Sequence, residues 1–94
     1  MKAKKASQAS DLEDVPNIGK SIANDLRKIK IFKPNQLKGK DAFLLYHQLN
    51  HLTGLQHDPC VMDVFMAAID FMNGGRAKPW WHFTQKRKKL MSKM

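Results

Sequence analysis

Apolar positions recur along the 94-residue chain mostly at three- and four-residue intervals, the spacing of one face of an α-helix. No run of alternating polarity is long enough to make a strand. Ile18, Ile22, Leu26 and Ile29 form one such stripe with Ala23 beside it, while Asn24, Arg27 and Lys28 lie off it. This predicts a helix over Lys20–Lys30. Upstream, Ser10-Asp11-Leu12-Glu13 matches a capping box with Ser10 as N-cap. A short helix is expected from Asp11 to about Asp14, closed by the restriction that Pro16 puts on Val15. Ile31 to Leu37 reads as a turn and short helix, with Pro34 at its start and Gly39 closing it.

The second half is more apolar. Asp41 is placed to cap a helix over residues 42–52 whose apolar set is Phe43, Leu44, Leu45, Tyr46, Leu49 and Leu52. Thr53-Gly54 ends it. Asp58 as N-cap and Pro59 at the first helical position open a further helix that runs to about Asn73 and stops at Gly74-Gly75. Few of its positions are polar, and a helix apolar nearly all round is a central one. Pro79 to Phe83 begins a last element that continues through Lys86–Met91. The expectation is an all-α fold: a compact bundle of about five helices around residues 59–73. Residues 1–9 are expected to be a disordered basic arm, 10–90 a single domain and 91–94 a frayed tail.

At 43% hydrophobic the chain can bury a core, though a thin one. Charge changes the picture more. The net charge is +9, which favours polyanions: nucleic acid first, an acidic membrane surface second, acidic protein third. Segments 1–14, 15–40, 41–75 and 76–94 carry net 0, +6, −4 and +7. Two basic segments thus flank an acidic, apolar middle, and ends folded back over that middle would make one basic face. Cys60 is the single cysteine, so no intrachain disulfide framework is expected. No apolar run reaches bilayer length and no signal segment is apparent, so no membrane partner is expected and the cytoplasm is the expected location.

Against this background the stretch Val15-Pro16-Asn17-Ile18-Gly19-Lys20-Ser21-Ile22-Ala23 stands out. Pro16 fixes its own φ, Asn17 tolerates a left-handed turn position, and Gly19 lets a foreign group approach the backbone. The N–H groups of the helix that follows would point into the space above Gly19, an arrangement suited to phosphate.

Leu12, Pro16-Asn17-Ile18-Gly19, Ala23, Leu26 and Ile31 resemble the helix-hairpin-helix motif of DNA-repair and recombination proteins, a SAM-domain-like arrangement whose hairpin is usually Pro-Gly-Ile-Gly. Asn17 stands where the first glycine is usual. The resemblance implies phosphate binding by the backbone of Asn17, Ile18, Gly19, Lys20 and Ser21, with the Lys20 ammonium and the Ser21 hydroxyl adding contacts. Such contacts position a protein on DNA without reading its sequence. Asp-Pro-Cys-Val-Met-Asp-Val-Phe at 58–65 and Pro-Trp-Trp-His-Phe-Thr at 79–84 are similar to a small bacterial family described as pathogenicity-locus proteins and sometimes labelled mitomycin-resistance proteins. The first half also resembles the C-terminal domain of competence regulators of the TfoX type. Together the resemblances imply DNA binding without sequence preference, linked to repair, recombination or uptake. The alternative is a protein-interaction module in which the hairpin only packs helices, with a protein as partner. Residues 41–75 would supply a degenerate second hairpin around Thr53-Gly54.

Other chemistries are weaker. Glycosylases with this hairpin use a lysine two positions after the last glycine, where Ser21 stands here, with Lys20 one position early and Asp41 as the later aspartate. No second domain is present to hold a flipped base, so no enzymatic activity is expected. His47, His51, His57 and Cys60 lie in one region, but their spacing matches no standard zinc pattern, and neither metal nor cofactor is expected. A first-turn position lowers a thiol's pKa, which would make Cys60 reactive. Trp80, Trp81 and Phe83 beside a basic tail suit either core packing or stacking on bases. Lys86, Arg87 and Lys88 are the expected second contact with phosphates.

Overall fold

The side chain of Asp41 accepts hydrogen bonds from the backbone N–H groups of Phe43 (2.9 Å) and Leu44 (3.4 Å), and helix α2, Ala42–Thr53, starts there. Gly54, at φ 69°, ends it in the left-handed conformation that a side chain would resist. In the computed structural model, which describes residues 2–93, α1 spans Lys20–Lys28, α3 spans Cys60–Met72 and α4 spans Thr84–Met91. Among the described residues there is no strand, so the all-α expectation holds. Among those residues four α-helices form rather than about five. Leu12–Asp14, Pro34–Leu37 and Trp80–Phe83 are single 3₁₀ turns, as is Ala6–Gln8.

Each shortfall has a local reason. Pro16 stops the segment before it from extending past Val15. Its cap also shifts by one residue: the Asp14 carboxylate accepts from the backbone N–H groups of Ser10 (3.1 Å) and Asp11 (2.9 Å), so Asp11 rather than Ser10 is the N-cap and Glu13 takes no part in it. Helix α1 stops two residues short of Lys30, which adopts a left-handed φ of 69°. The N–H of Ile31 returns to Leu26 O (2.9 Å) and that of Lys30 to Arg27 O (3.0 Å), a Schellman closure with lysine where glycine is usual.

Helix α3 is the centre. Met62, Val64, Phe65, Ala67, Ala68, Ile69, Phe71 and Met72 are buried, and α2, α4, Pro34–Leu37 and Trp80–Phe83 all pack on it. Leu12, Val15, Ile18, Ala23 and Leu26 close the core from the α1 side. Where composition predicts a disordered arm, residues 2–9 lie against the domain: Ala3, Ala6 and Ala9 pack on the core at three-residue spacing, and the Ala3 N–H donates to Asp14 O (2.7 Å). Met1 of that arm, and Met94 of the tail expected to fray, fall outside the described residues.

One polar side chain sits inside. Asp63 is fully buried on α3, yet accepts from Thr84 Oγ1 (2.7 Å), Arg87 Nε (2.9 Å) and Arg87 Nη2 (3.5 Å). These bonds fasten α4 to α3. Breaking such a pair from one side costs about 3–5 kcal/mol, because the other charge is left buried.

Candidate nucleic-acid interface

Val15 to Ile18 form a tight turn in which the Ile18 N–H donates to Val15 O (3.1 Å), Pro16 holds the second position and Asn17 the third at φ 74°. That combination suits a type II turn, with asparagine in the place glycine usually fills. The Asn17 amide does more than tolerate the angle. Its Nδ2 donates to Lys78 O (2.6 Å) and so ties the turn to the segment leading into Trp80–Phe83. Behind the turn, Lys2 Nζ donates to the carbonyls of Glu13 (2.6 Å), Val15 (3.1 Å) and Ile18. One ammonium thereby occupies the carbonyl side of the turn and leaves its positive charge there.

The N–H side is open. Gly19 is the N-cap of α1 and has no side chain to offer its first turn. Among the described residues, no backbone or side-chain acceptor meets the N–H groups of Gly19, Lys20, Ser21 and Ile22. Nothing lies within 4 Å of where a Gly19 Cβ would stand, and Lys20 and Ser21 are exposed. Ile18 differs from its neighbours, because its side chain is buried and its N–H closes the turn. Helix α3, by contrast, has its own anion. Asp58 Oδ1 accepts from the Cys60 N–H (2.8 Å), and that bond holds the Asp58 carboxyl below the ordinary carboxylate value.

Other basic residues lie around the C-terminal end of α3. The Gly39 N–H, between Lys38 and Lys40, donates to Asn73 Oδ1 (3.0 Å). Lys78 Nζ meets Asp70 Oδ2 (2.9 Å) and lies 5.8 Å from the Phe83 ring centroid. Gly75 is needed there, since a Cβ would come within 2.8 Å of Asp70 O. On α4, Lys86 and Lys88 are exposed. Arg87 is not: the hydrogen bond with Asp63 pushes its pKa up and holds its guanidinium in the bundle.

His47, His51, His57 and Cys60 do not converge, and among the described residues no three His, Cys, Asp or Glu side chains form a metal-holding group. His57 Nδ1 pairs with Asn50 Oδ1 (2.7 Å), and His47 packs edge-on against Phe43 and Tyr46. The Cys60 thiol is not activated by its helix position. The hydrogen bond with the Asp58 carboxylate, then burial, push its pKa up. Asp41 uses its carboxylate to cap α2. Trp80 is half-buried against the core, whereas Trp81 is 64% exposed.

Two features escaped the reading of the sequence. Asp63, one of two carboxylates in an otherwise apolar helix and flanked by Met62 and Val64, is the signal for a buried cationic partner. Lys2 carried none, since a lysine near a chain end has no pattern that assigns it to three carbonyls.

The fold and this surface define a small, basic, all-helical protein in which the start of α1 carries no side-chain cap. The chain belongs to the Cdd1 family, described as a pathogenicity locus, whose model matches residues 5–89. It is 38% identical over 87 residues to a mitomycin resistance protein, McrB, of Streptomyces lavendulae, a match that covers 93% of this chain and 83% of the relative. No solved structure matches the chain. No helix among the described residues is long and apolar enough to cross a membrane.

Proposed function

We propose that this protein binds the phosphate backbone of DNA, without sequence preference, at the start of α1. One observation carries the reading: α2 and α3 each bring an aspartate to their first turn, and α1 brings none while Lys20 begins it and the Lys2 ammonium sits behind its turn. An uncapped, electropositive helix start accepts an external anion, and phosphate is the polyanionic choice for a chain of charge +9. Gly19, Lys20 and Ser21 supply N–H groups, and Asn17 shapes the turn and ties it to Lys78. Lys86 and Lys88 supply further charge, and Arg87 serves by holding α4 in place. Leu12–Lys28 is then a helix-hairpin-helix whose first helix is contracted to one 3₁₀ turn, and α2, the Gly54–Pro59 loop and α3 are its second, acidic-capped copy. The protein acts by binding, in the cytoplasm, and not as an enzyme.

The test is a salt titration against single-stranded, duplex and branched DNA. The logarithm of the binding constant should fall linearly with the logarithm of salt, by about 0.7–0.9 for each phosphate neutralised. Absent or salt-insensitive binding would overturn the reading. The relative's name supplies a cellular counterpart: loss of this protein should sensitise its host to mitomycin.

A second reading has its own observation. Leu44, Leu52 and Leu55 are exposed on and just beyond α2, in a segment with no lysine or arginine. An apolar, uncharged face suits a protein partner. The double variant Gly19→Glu, Lys20→Glu separates the two, abolishing DNA binding while leaving any binding through α2 intact.

A further inference from the structure

Trp80, Trp81 and Phe83 share one 3₁₀ turn but have different fates. Phe83 is buried, Trp80 packs half-buried on the core, and Trp81 leaves 64% of its surface in water. Core packing therefore accounts for two of the three aromatics and leaves Trp81 without a structural role. Its ring meets the Trp80 ring edge-on, with centroids 5.5 Å apart and planes at 85°. An edge-to-face pair covers at most one face of each ring, so Trp81, with 64% of its surface in water, keeps an open face.

The position of this ring matters as much as its exposure. Asn17 Nδ2 is bonded to Lys78 O, so the turn that precedes α1 touches the chain three residues before Trp81. Three residues span at most about 10 Å, and less here because Trp80 already lies in a 3₁₀ turn. The indole therefore stands within a few nucleotides' reach of the open N–H groups of Gly19 and Lys20. Arg76 and His82 are exposed on the same segment, and the Lys78 ammonium pairs with Asp70. An exposed aromatic ring within reach of an anion-accepting turn is the pairing that single-strand binders use, with phosphate on the charge and base on the ring.

We propose that Trp81 stacks on an unpaired base of the strand whose phosphate the Val15–Gly19 turn holds, so that the preferred ligand is single-stranded DNA or duplex with an unpaired segment. This rests on the DNA-binding reading above. In an intact duplex every internal base is already stacked on both faces and offers the ring nothing. The turn alone then binds duplex, and the turn with Trp81 binds single strands more tightly.

The experiment compares the full-length protein with Trp81→Ala and Trp81→Phe on three probes of equal length: a single-stranded oligonucleotide, a duplex, and an abasic single strand that keeps the phosphates and lacks the bases. The wild type should favour the first probe over the other two. Trp81→Ala should weaken binding to the single strand roughly tenfold or more, with duplex and abasic binding within about twofold of wild type. Trp81→Phe should recover part of the loss, and circular dichroism should show all three proteins equally helical. Equal losses on all three probes, or no loss on the single strand, overturn the stacking role and leave the phosphate reading standing. Absence of binding to any probe by the wild type overturns both. An abasic strand bound as well as the normal one assigns Trp81 to some other partner, such as a protein, and overturns the proposal.

Discussion

Helix α1 leaves the Val15–Gly19 turn with a bare glycine at its N-cap, and α3 leaves the Gly54–Pro59 loop with the Asp58 carboxylate on its first free N–H. Both connections include a left-handed residue, Asn17 at φ 74° in one and Gly54 at φ 69° in the other. Both lead into helices that line the same core. They differ in who supplies the negative charge that a helix start attracts. In α3 the chain supplies it, and the helix is complete in itself. In α1 it is left to the surroundings, and Lys2, Lys20 and the lysines beyond raise the attraction further. The more stable arrangement is the one with the internal cap. An uncapped helix start therefore marks a place where a cap's contribution to stability is absent.

The largest effect expected from breaking this contrast lies at α3. Asp63→Ala leaves Arg87 buried without its partner and should cost about 3–5 kcal/mol. Denaturant unfolding measures the cost, and protease cleavage within α4 should precede global unfolding. An Asp63→Ala protein as stable as wild type would mean that α4 is not fastened through this pair. Next comes Gly19→Glu with Lys20→Glu, which gives α1 its own carboxylates. DNA affinity should fall by about two orders of magnitude or more at low salt while the thermal midpoint stays close to wild type.

Asp58→Gly runs the comparison in reverse by uncapping α3. The thermal midpoint should fall modestly, and Cys60 should react faster with a thiol reagent, since the hydrogen bond that raises its pKa is removed. This variant also carries a pH signature. The carboxyl of Asp58 lies below its ordinary value, so its contribution is fully present above the unfolded-state value and is lost as pH falls through the folded one. The stability difference between wild type and Asp58→Gly should therefore shrink below about pH 4. A difference constant from pH 7 to pH 3 would count against the cap.

The smallest effect is the sharpest in sign. Gly19 has an ordinary φ of −95° and open space above it, so Gly19→Asp fits without strain. A carboxylate there should stabilise the protein by about 0.3 kcal/mol and weaken DNA binding at the same time. Stability and binding moving together would refute the trade between them.

Much of this was legible in the residues. Asp41 and Gly54 bracket α2 because a cap and a left-handed stop are local chemistry, set by a few adjacent side chains. The α3 segment reads as central because its apolar positions leave no face for water. The asparagine at the tip of the turn was legible for the same reason. Arg87 was not, because a basic run looks the same whether its members face solvent or one of them reaches a buried carboxylate far along the chain. Lys2 and the alanine stripe at 3, 6 and 9 were hidden by the charge around them.

The sequence by itself determined the helical class, the cap and stop of α2, the net charge of +9 and the identity of the exposed turn residues. These depend on interactions within a few positions or on sums over the whole chain. Only the tertiary structure decided which cations remain in solvent, that Asn17 joins the turn to Lys78, and that Trp81 rather than Trp80 stands in water. Those outcomes depend on contacts between residues as much as 61 positions apart, such as Asn17 with Lys78, and no local pattern encodes which of several similar side chains will find the partner.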